Sequence, residues 1–324
     1  MTGDTGDRMK IVIGYAVWAT LCAVAAGVAI SLIHTWFFSY HATRPGFWRT
    51  LLEDAAVTVG IAAGQGAVAL VTGSVLTQLG EQVTSRDEAA GVRDHYLRVL
   101  EDIRVRQLPT EISVKLTHLG LDRNPKACLQ DLLALAARAA AAGSFLWIDM
   151  EESRYVDPTL ELFQAVRAAH AGIGVCLQAY LRRTPADLEA LLPLAPAIRL
   201  VKGAYNEPPD VALPKKRDVD AAYAVLAGRL LERAAQGEAR AVFGTHDSGL
   251  IARLRDRALA VGAAPGAYEV HMLYGIGAAR QRALQREGVP VRVLISYGTH
   301  WFPWYMRRLA ERPANVWFVV RNLF

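Results

Sequence analysis

From about residue 70 onward the chain alternates between two textures. Short runs of β-branched and other apolar residues recur. Each is followed by a polar turn and then an Ala/Leu/Arg-rich stretch with apolar residues every three or four positions. The first texture has the character of a buried strand, the second that of an amphipathic helix. The pattern predicts strands at Ser74–Gln78, Ile112–Lys115, Phe145–Asp149, Val175–Tyr180, Ile198–Lys202, Ala241–Thr245, Tyr268–Met272 and Arg292–Ser296. Helical periodicity follows them, as in Leu129–Ala142, Thr159–His170, Ala221–Ala235 and Ser248–Val261. Alternating strands and helices imply a parallel sheet, because each crossover needs a helix. Eight such units in about 250 residues predict an α/β fold, a closed (βα)8 TIM-type barrel. An open doubly wound sheet is the alternative, but the Gly-x-Gly-x-x-Gly turn expected after its first strand is missing.

The first seventy residues have a different texture. From Ile11 to Tyr40 there is no Asp, Glu, Lys or Arg, and about 20 apolar residues suffice to cross a bilayer. Tyr15 and Trp18 lie near one end, and Trp36, Phe37, Phe38 and Tyr40 at the other, as in an interfacial belt. The run is too long for the apolar part of a signal peptide. We therefore expect an apolar segment 1–70 with a candidate transmembrane helix at 11–40, followed by a barrel over 71–324 at the cytoplasmic face of a membrane. A helix packed on the barrel is the other reading. Arg8 and Lys10 before the run balance Arg44 and Arg49 after it, so charge does not orient it. The next uncharged stretch, Ala55 to Gly80, holds five glycines and is too weak a helix former for a second span.

Charge and cysteine content narrow the function classes. A net charge of +5, with basic and acidic residues mixed along the chain, gives no nucleic-acid patch. Cys22, Cys128 and Cys176 have neither disulfide nor metal-ligand spacing, which points to a reducing compartment and no metal site.

The polar residues that do interrupt the apolar runs fall at strand ends: Lys115, Asp149, Gln178 with Tyr180, Lys202, and Thr245-His246-Asp247. In a (βα)8 barrel the active site lies at the carboxyl ends of the strands. Asp149 is placed either to order Lys115 or to meet a substrate amine. Arg199 and Lys202, three apart on one strand, face opposite sides of the sheet. Near the carboxyl terminus Arg307 and Arg308 sit on an expected last helix, with Glu311 four residues on, placed to hold Arg307. Paired guanidinium forks suit a carboxylate ligand. Strand-end lysines also fit a Schiff-base lyase or aldolase, and an amino-acid-binding barrel without turnover would need the same pocket.

Seven blocks carry a resemblance: Ser-Val-Lys-Leu-Thr (113–117), Ile-Asp-Met-Glu-Glu-Ser (148–153), Leu-Gln-Ala-Tyr (177–180), Arg-Leu-Val-Lys-Gly-Ala-Tyr (199–205), Gly-Thr-His-Asp (244–247), Met-Leu-Tyr-Gly (272–275) and Tyr-Met-Arg-Arg-Leu-Ala-Glu-Arg-Pro-Ala-Asn (305–315). In this order and spacing they resemble the proline dehydrogenases over roughly residues 74–324. The resemblance implies an FAD-containing barrel that oxidises a small cyclic amino acid, L-proline, to Δ1-pyrroline-5-carboxylate and passes electrons to a membrane quinone. It further implies that Arg307, Arg308 and Lys115 bind the substrate carboxylate and that Leu273 packs over the substrate ring. Arg199 would approach flavin N5, Gln178 the flavin ring edge, Lys202 the cofactor phosphate or ribityl oxygens, and Thr245 and His246 its nucleotide part.

Two positions depart from the family pattern. Leu294 stands where a tyrosine usually lines the substrate ring, and His271 stands where glutamine is frequent. Leucine keeps an apolar wall and removes a hydroxyl, so L-proline or a more apolar cyclic amine is expected ahead of hydroxyproline. The apolar, glycine-rich lead-in over residues 1–70 also departs from the charged helices usual in the family.

Overall fold

The computed structural model describes residues 73–80, 82–264, 266–274 and 276–298. The predicted span at 11–40 and the expected helix bearing Arg307, Arg308 and Glu311 lie outside the described residues. Within them no helix is long and apolar enough to cross a membrane.

Eight strands close a barrel in sequence order, every neighbouring pair parallel. They are β1 (Gly73–Gln78), β2 (Thr110–Val114), β3 (Leu146–Ile148), β4 (Ile173–Gln178), β5 (Ala197–Val201), β6 (Arg240–Gly244), β7 (Tyr268–Leu273) and β8 (Val291–Tyr297). The connecting helices are α1 (Arg86–Arg106), α2 (Pro125–Ala141), α3 (Val156–Arg167), α4 (Thr184–Leu191), α5 (Lys216–Ala235), α6 (Ser248–Ala260) and α7 (Ala278–Arg286). All eight predicted strands are present, with shifted ends. Five end before the polar residue expected to close them: Lys115, Asp149, Lys202 and Thr245 lie one residue past a strand and Tyr180 two, at the mouth.

Local chemistry explains the helix starts. Ser85 caps α1 by accepting from the Glu88 amide at 3.1 Å, and the Glu88 carboxylate returns a bond to the Thr84 amide at 2.6 Å. Asn124 caps α2 just before Pro125. Asp247 caps α6, accepting from the Gly249 and Leu250 amides.

The two faces of the sheet differ in kind. Residues facing the helices, among them Ile112, Ile148, Val175, Leu200, Phe243, Val270 and Val291, are apolar and fully buried. The inward face is layered. A middle layer of Val75, Trp147, Ala197 and Val242 fills the axis, with Leu294 packed against it. The indole fits because β4 contributes Gly174 beside it; a Cβ there would stand 2.5 Å from Trp147 Cζ3.

Below this layer, at the amino-terminal end, four charges meet: Glu111, Arg240, Glu269 and Arg292. Arg240 donates to Glu111 and to Glu269, each at 2.7 Å, and Arg292 donates to Glu269 at 2.8 Å. The Trp147 indole N–H donates to the remaining Glu111 oxygen at 2.6 Å. Burial alone would raise the Glu269 pKa, but His271, Arg240 and Arg292 hold it well below the carboxylate range.

Candidate active site

Above Trp147 the inward face becomes a site. Ser113 on β2, Asp149 after β3 and Arg199 on β5 meet across the barrel. The Arg199 guanidinium lies 5.2 Å above the Trp147 ring, is 4% exposed, and donates from Nη2 to both Asp149 Oδ1 and Ser113 Oγ, the latter at 2.9 Å. Ser113 Oγ donates to the same Asp149 oxygen at 2.8 Å. Burial would lower the Arg199 pKa, but Asp149, Cys176 and Glu111 together outweigh it and hold the guanidinium above its ordinary value. Asp149 thus orders Arg199, not Lys115 as one expectation had it. Its second oxygen has no partner among the described residues.

Other polar atoms at this level are also unspent. Lys115 lies two residues beyond Ser113, on the same side of the pleat. It is 9% exposed and forms no ion pair among the described residues. Gln178, 2% exposed, donates weakly to the Met150 carbonyl at 3.4 Å, while its Oε1 is buried without a hydrogen-bond partner among the described residues, as is Arg199 Nη1. Buried polar atoms are normally satisfied, so this cluster has the chemistry of a ligand site: a cation, a carboxylate oxygen, a guanidinium N–H and an amide oxygen. Leu273, 41% exposed at the end of β7, and Leu294 give it apolar walls.

The remaining candidates lie to one side. Lys202 faces away from Arg199, as strand alternation requires, and bridges Asp220 at 2.7 Å and Asp247 at 2.8 Å. Burial would raise the Asp247 pKa, but Lys202 and the helix amide of Leu250 hold it down to about 2. His246 accepts the Leu273 amide on Nε2 at 3.0 Å, tying the end of β6 to that of β7, and burial lowers its pKa. Thr245 Oγ1 accepts from the Asp247 amide at 3.1 Å.

Carboxylates hold the loops around the mouth. Glu151 accepts from the Thr117 amide at 3.0 Å and from its hydroxyl at 2.5 Å, fixing the turn that carries Lys115. Glu207 accepts from the amide and hydroxyl of Ser153, both at 2.7 Å, so the β5 crossover is latched to the β3 loop. The same crossover pairs Leu181 with Ala212 in an isolated bridge. It begins at Gly203, whose φ of +115° and close packing on the Tyr180 ring exclude a side chain. A separate groove of about 550 Å³ lies outside the barrel between α6 and α7, lined by Arg255, Tyr268, Arg280 and Leu284, and contains none of these candidate residues.

Comparison with known proteins bears on this geometry. The family model described as proline dehydrogenase matches residues 68–321. Proline dehydrogenase 1 of Bacillus subtilis is 36% identical over 250 residues, covering 77% of this chain and 82% of the relative. The proline dehydrogenase of Deinococcus radiodurans is 34% identical over 253 residues, covering 76% and 80%. The chain belongs to the proline dehydrogenase family. Membership makes it an oxidoreductase of that family. Among solved structures, proline utilization A from Bdellovibrio bacteriovorus, inactivated by N-propargylglycine, superposes with a TM-score of 0.67 at 23% identity. That match covers 76% of this chain and 30% of the larger protein, and it supports the barrel fold alone.

Set against the proline dehydrogenase expectation, the structure brings Lys115, Asp149, Gln178, Arg199, Leu273 and Leu294 to the inward-facing carboxyl end of the barrel. Thr245 and His246 lie on the β6 edge of the mouth, and Lys202 is directed to the outer side. Arg307 and Arg308 are outside the described residues. Ser113 and Trp147 were not singled out from sequence. Ser113 had a signal, since it stands two residues before Lys115 on the same face of a strand; Trp147 had none beyond being a large residue on a short strand.

Proposed function

We propose that this protein oxidises L-proline to Δ1-pyrroline-5-carboxylate with FAD as its cofactor, the electrons passing on to a membrane quinone. The observation that carries the reading is the unspent set at the mouth: the Lys115 ammonium, Asp149 Oδ2, Arg199 Nη1 and Gln178 Oε1, beside the apolar walls of Leu273 and Leu294.

In this reading Lys115 takes the substrate carboxylate together with Arg307 and Arg308, as charge-assisted bonds favour. Asp149 faces the substrate nitrogen, which gains positive charge as the adjacent C–H bond is lost as hydride; a carboxylate there stabilises the developing iminium. Leu273 and Leu294 hold the ring, which orients that C–H bond. The buried orphan atoms Gln178 Oε1 and Arg199 Nη1 fit the polar edge of an isoalloxazine, and Lys202, Thr245 and His246 would serve the rest of the cofactor. When bound, FAD supplies the hydride acceptor that no side chain of the protein can provide. Leu294, packed on the Trp147 layer, offers no partner to a ring hydroxyl and favours proline over hydroxyproline.

The test is an absorbance spectrum of the detergent-purified protein before and after anaerobic L-proline. A flavin band that bleaches with proline supports the reading. A band bleached by hydroxyproline but not proline would reverse the substrate assignment, and a protein that binds proline without bleaching would be a binding barrel. We also propose that the apolar run 11–40 holds the barrel at the cytoplasmic face of the membrane, close to quinone. Recovery of the full chain in the soluble fraction without detergent would refute that placement.

A further inference from the structure

The contacts among Ser113, Asp149 and Arg199 converge on few atoms. Arg199 Nη2 donates to Asp149 Oδ1 and to Ser113 Oγ, and Ser113 Oγ donates to that same Asp149 oxygen. A guanidinium and a carboxylate left to themselves favour two parallel bonds, fork to fork. Here the second bond is not made. Among the described residues Arg199 Nη1 is buried with no hydrogen-bond partner, although the Cys176 thiol lies beside the guanidinium, and Asp149 Oδ2 accepts from none. An unpaired buried N–H is costly, so something must hold the pair away from its closed form.

We propose that Ser113 is a positioning residue that holds the Arg199–Asp149 pair open. Its hydroxyl occupies the apex between Nη2 and Oδ1, drawing both atoms towards β2 and leaving Nη1 and Oδ2 to face the site. Ser113 is itself rigidly placed. It is fully buried, and its carbonyl accepts from the Tyr96 hydroxyl at 2.8 Å; that hydroxyl accepts in turn from the Gln78 amide at 2.8 Å. Helix α1 and strand β1 therefore fix the backbone from which the hydroxyl is presented. Resting on the function proposed above, the consequence is that Ser113 keeps one carboxylate oxygen for the substrate nitrogen and one guanidinium N–H for the cofactor, although it touches neither.

The test compares crystal structures, melting temperatures and anaerobic flavin-reduction rates of S113A and S113T with those of the wild type. In S113A the pair should close, with Nη1 within hydrogen-bond distance of Oδ2. The melting temperature should stay level or rise, and the limiting reduction rate should fall about tenfold. S113T, which keeps the hydroxyl, should retain the open pair and the wild-type rate. A one-point pair persisting in S113A would overturn the proposal, as would a melting temperature that falls in step with the rate, because then the serine is merely structural. Wild-type protein that L-proline fails to bleach would sink the assigned reaction instead, while the crystallographic comparison would still decide the role of Ser113.

Discussion

The two ends of this barrel both place arginine against carboxylate inside a parallel sheet, yet they are built to opposite specifications. At the amino-terminal end Glu111, Glu269, Arg240 and Arg292 balance in charge, and all four carboxylate oxygens accept from a neighbour. At the carboxyl end Arg199 and Asp149 share one contact, and Lys115, Arg199 Nη1 and Gln178 Oε1 are left over. The difference teaches how to tell a structural buried charge from a functional one. Satisfied networks tend to hold a shape, whereas an unsatisfied buried polar atom needs an explanation, and a ligand is one.

Breaking the lower network should have the largest effect, and on folding alone. Arg240→Met leaves Arg292 as the single cation facing both Glu111 and Glu269, and removes the cation 4.5 Å above the Phe145 ring. Removing one partner of a buried pair costs about 3–5 kcal/mol, to be read from urea unfolding, while the rate per folded molecule stays at the wild-type level. An unchanged unfolding midpoint would contradict the structural role. At the upper end Arg199→Met should reach the chemistry as well as stability: proline-dependent flavin reduction per folded molecule should slow by about 10²–10³-fold, the size of effect seen when a preorganised electrostatic donor is lost. A variant that reduces its flavin at the wild-type rate would remove Arg199 from the chemistry.

His271 links the two ends and sharpens the comparison through pH. It is 4% exposed, packs edge-on to Trp147 at 5.8 Å, and has Nε2 3.8 Å from Glu269. Burial lowers its pKa from 6.5 to about 4, the nearby Glu269 carboxylate opposing this and Arg199 adding to it. The unfolded chain therefore binds the proton more tightly than the folded one between these values. The stability contributed by the neutral imidazole is fully present above pH 6.5 and is lost as pH falls towards about 4. Between pH 7 and 5 the wild type should lose about 2 kcal/mol that His271→Gln does not; parallel pH curves for the two proteins would dismiss the linkage. The smallest effect belongs to Lys115→Met. It should raise the KM for proline about tenfold with little change in kcat, as expected for loss of a ground-state carboxylate contact. A fall in kcat at constant KM would assign Lys115 a different task.

Much of the fold was legible because strand and helix periodicities differ and alternate along the chain. The mouth was legible because strand-end polar residues interrupt otherwise apolar runs. The lower quartet was not. Its members stand singly on four different strands, where one charge at a strand's first or second residue resembles an exposed flank, and only barrel closure brings them together. Ser113 was overlooked for a related reason: a serine is chemically quiet until its neighbours across the barrel are known. The side to which Lys202 points could be read from alternation, but its two carboxylate partners, on α5 and at the start of α6, could not.

Among the described residues, the Trp147 layer and the ionic quartet beneath it close the barrel at its amino-terminal end. The axis is filled below the mouth, so under the proposed function reactant, product and whatever collects the electrons would share the same threshold in turn. Such traffic favours a shuttle order, in which the first visitor departs before the second is served. A molecule that occupies the substrate's place should then also delay the electron collector, making each a competitor of the other at a single opening.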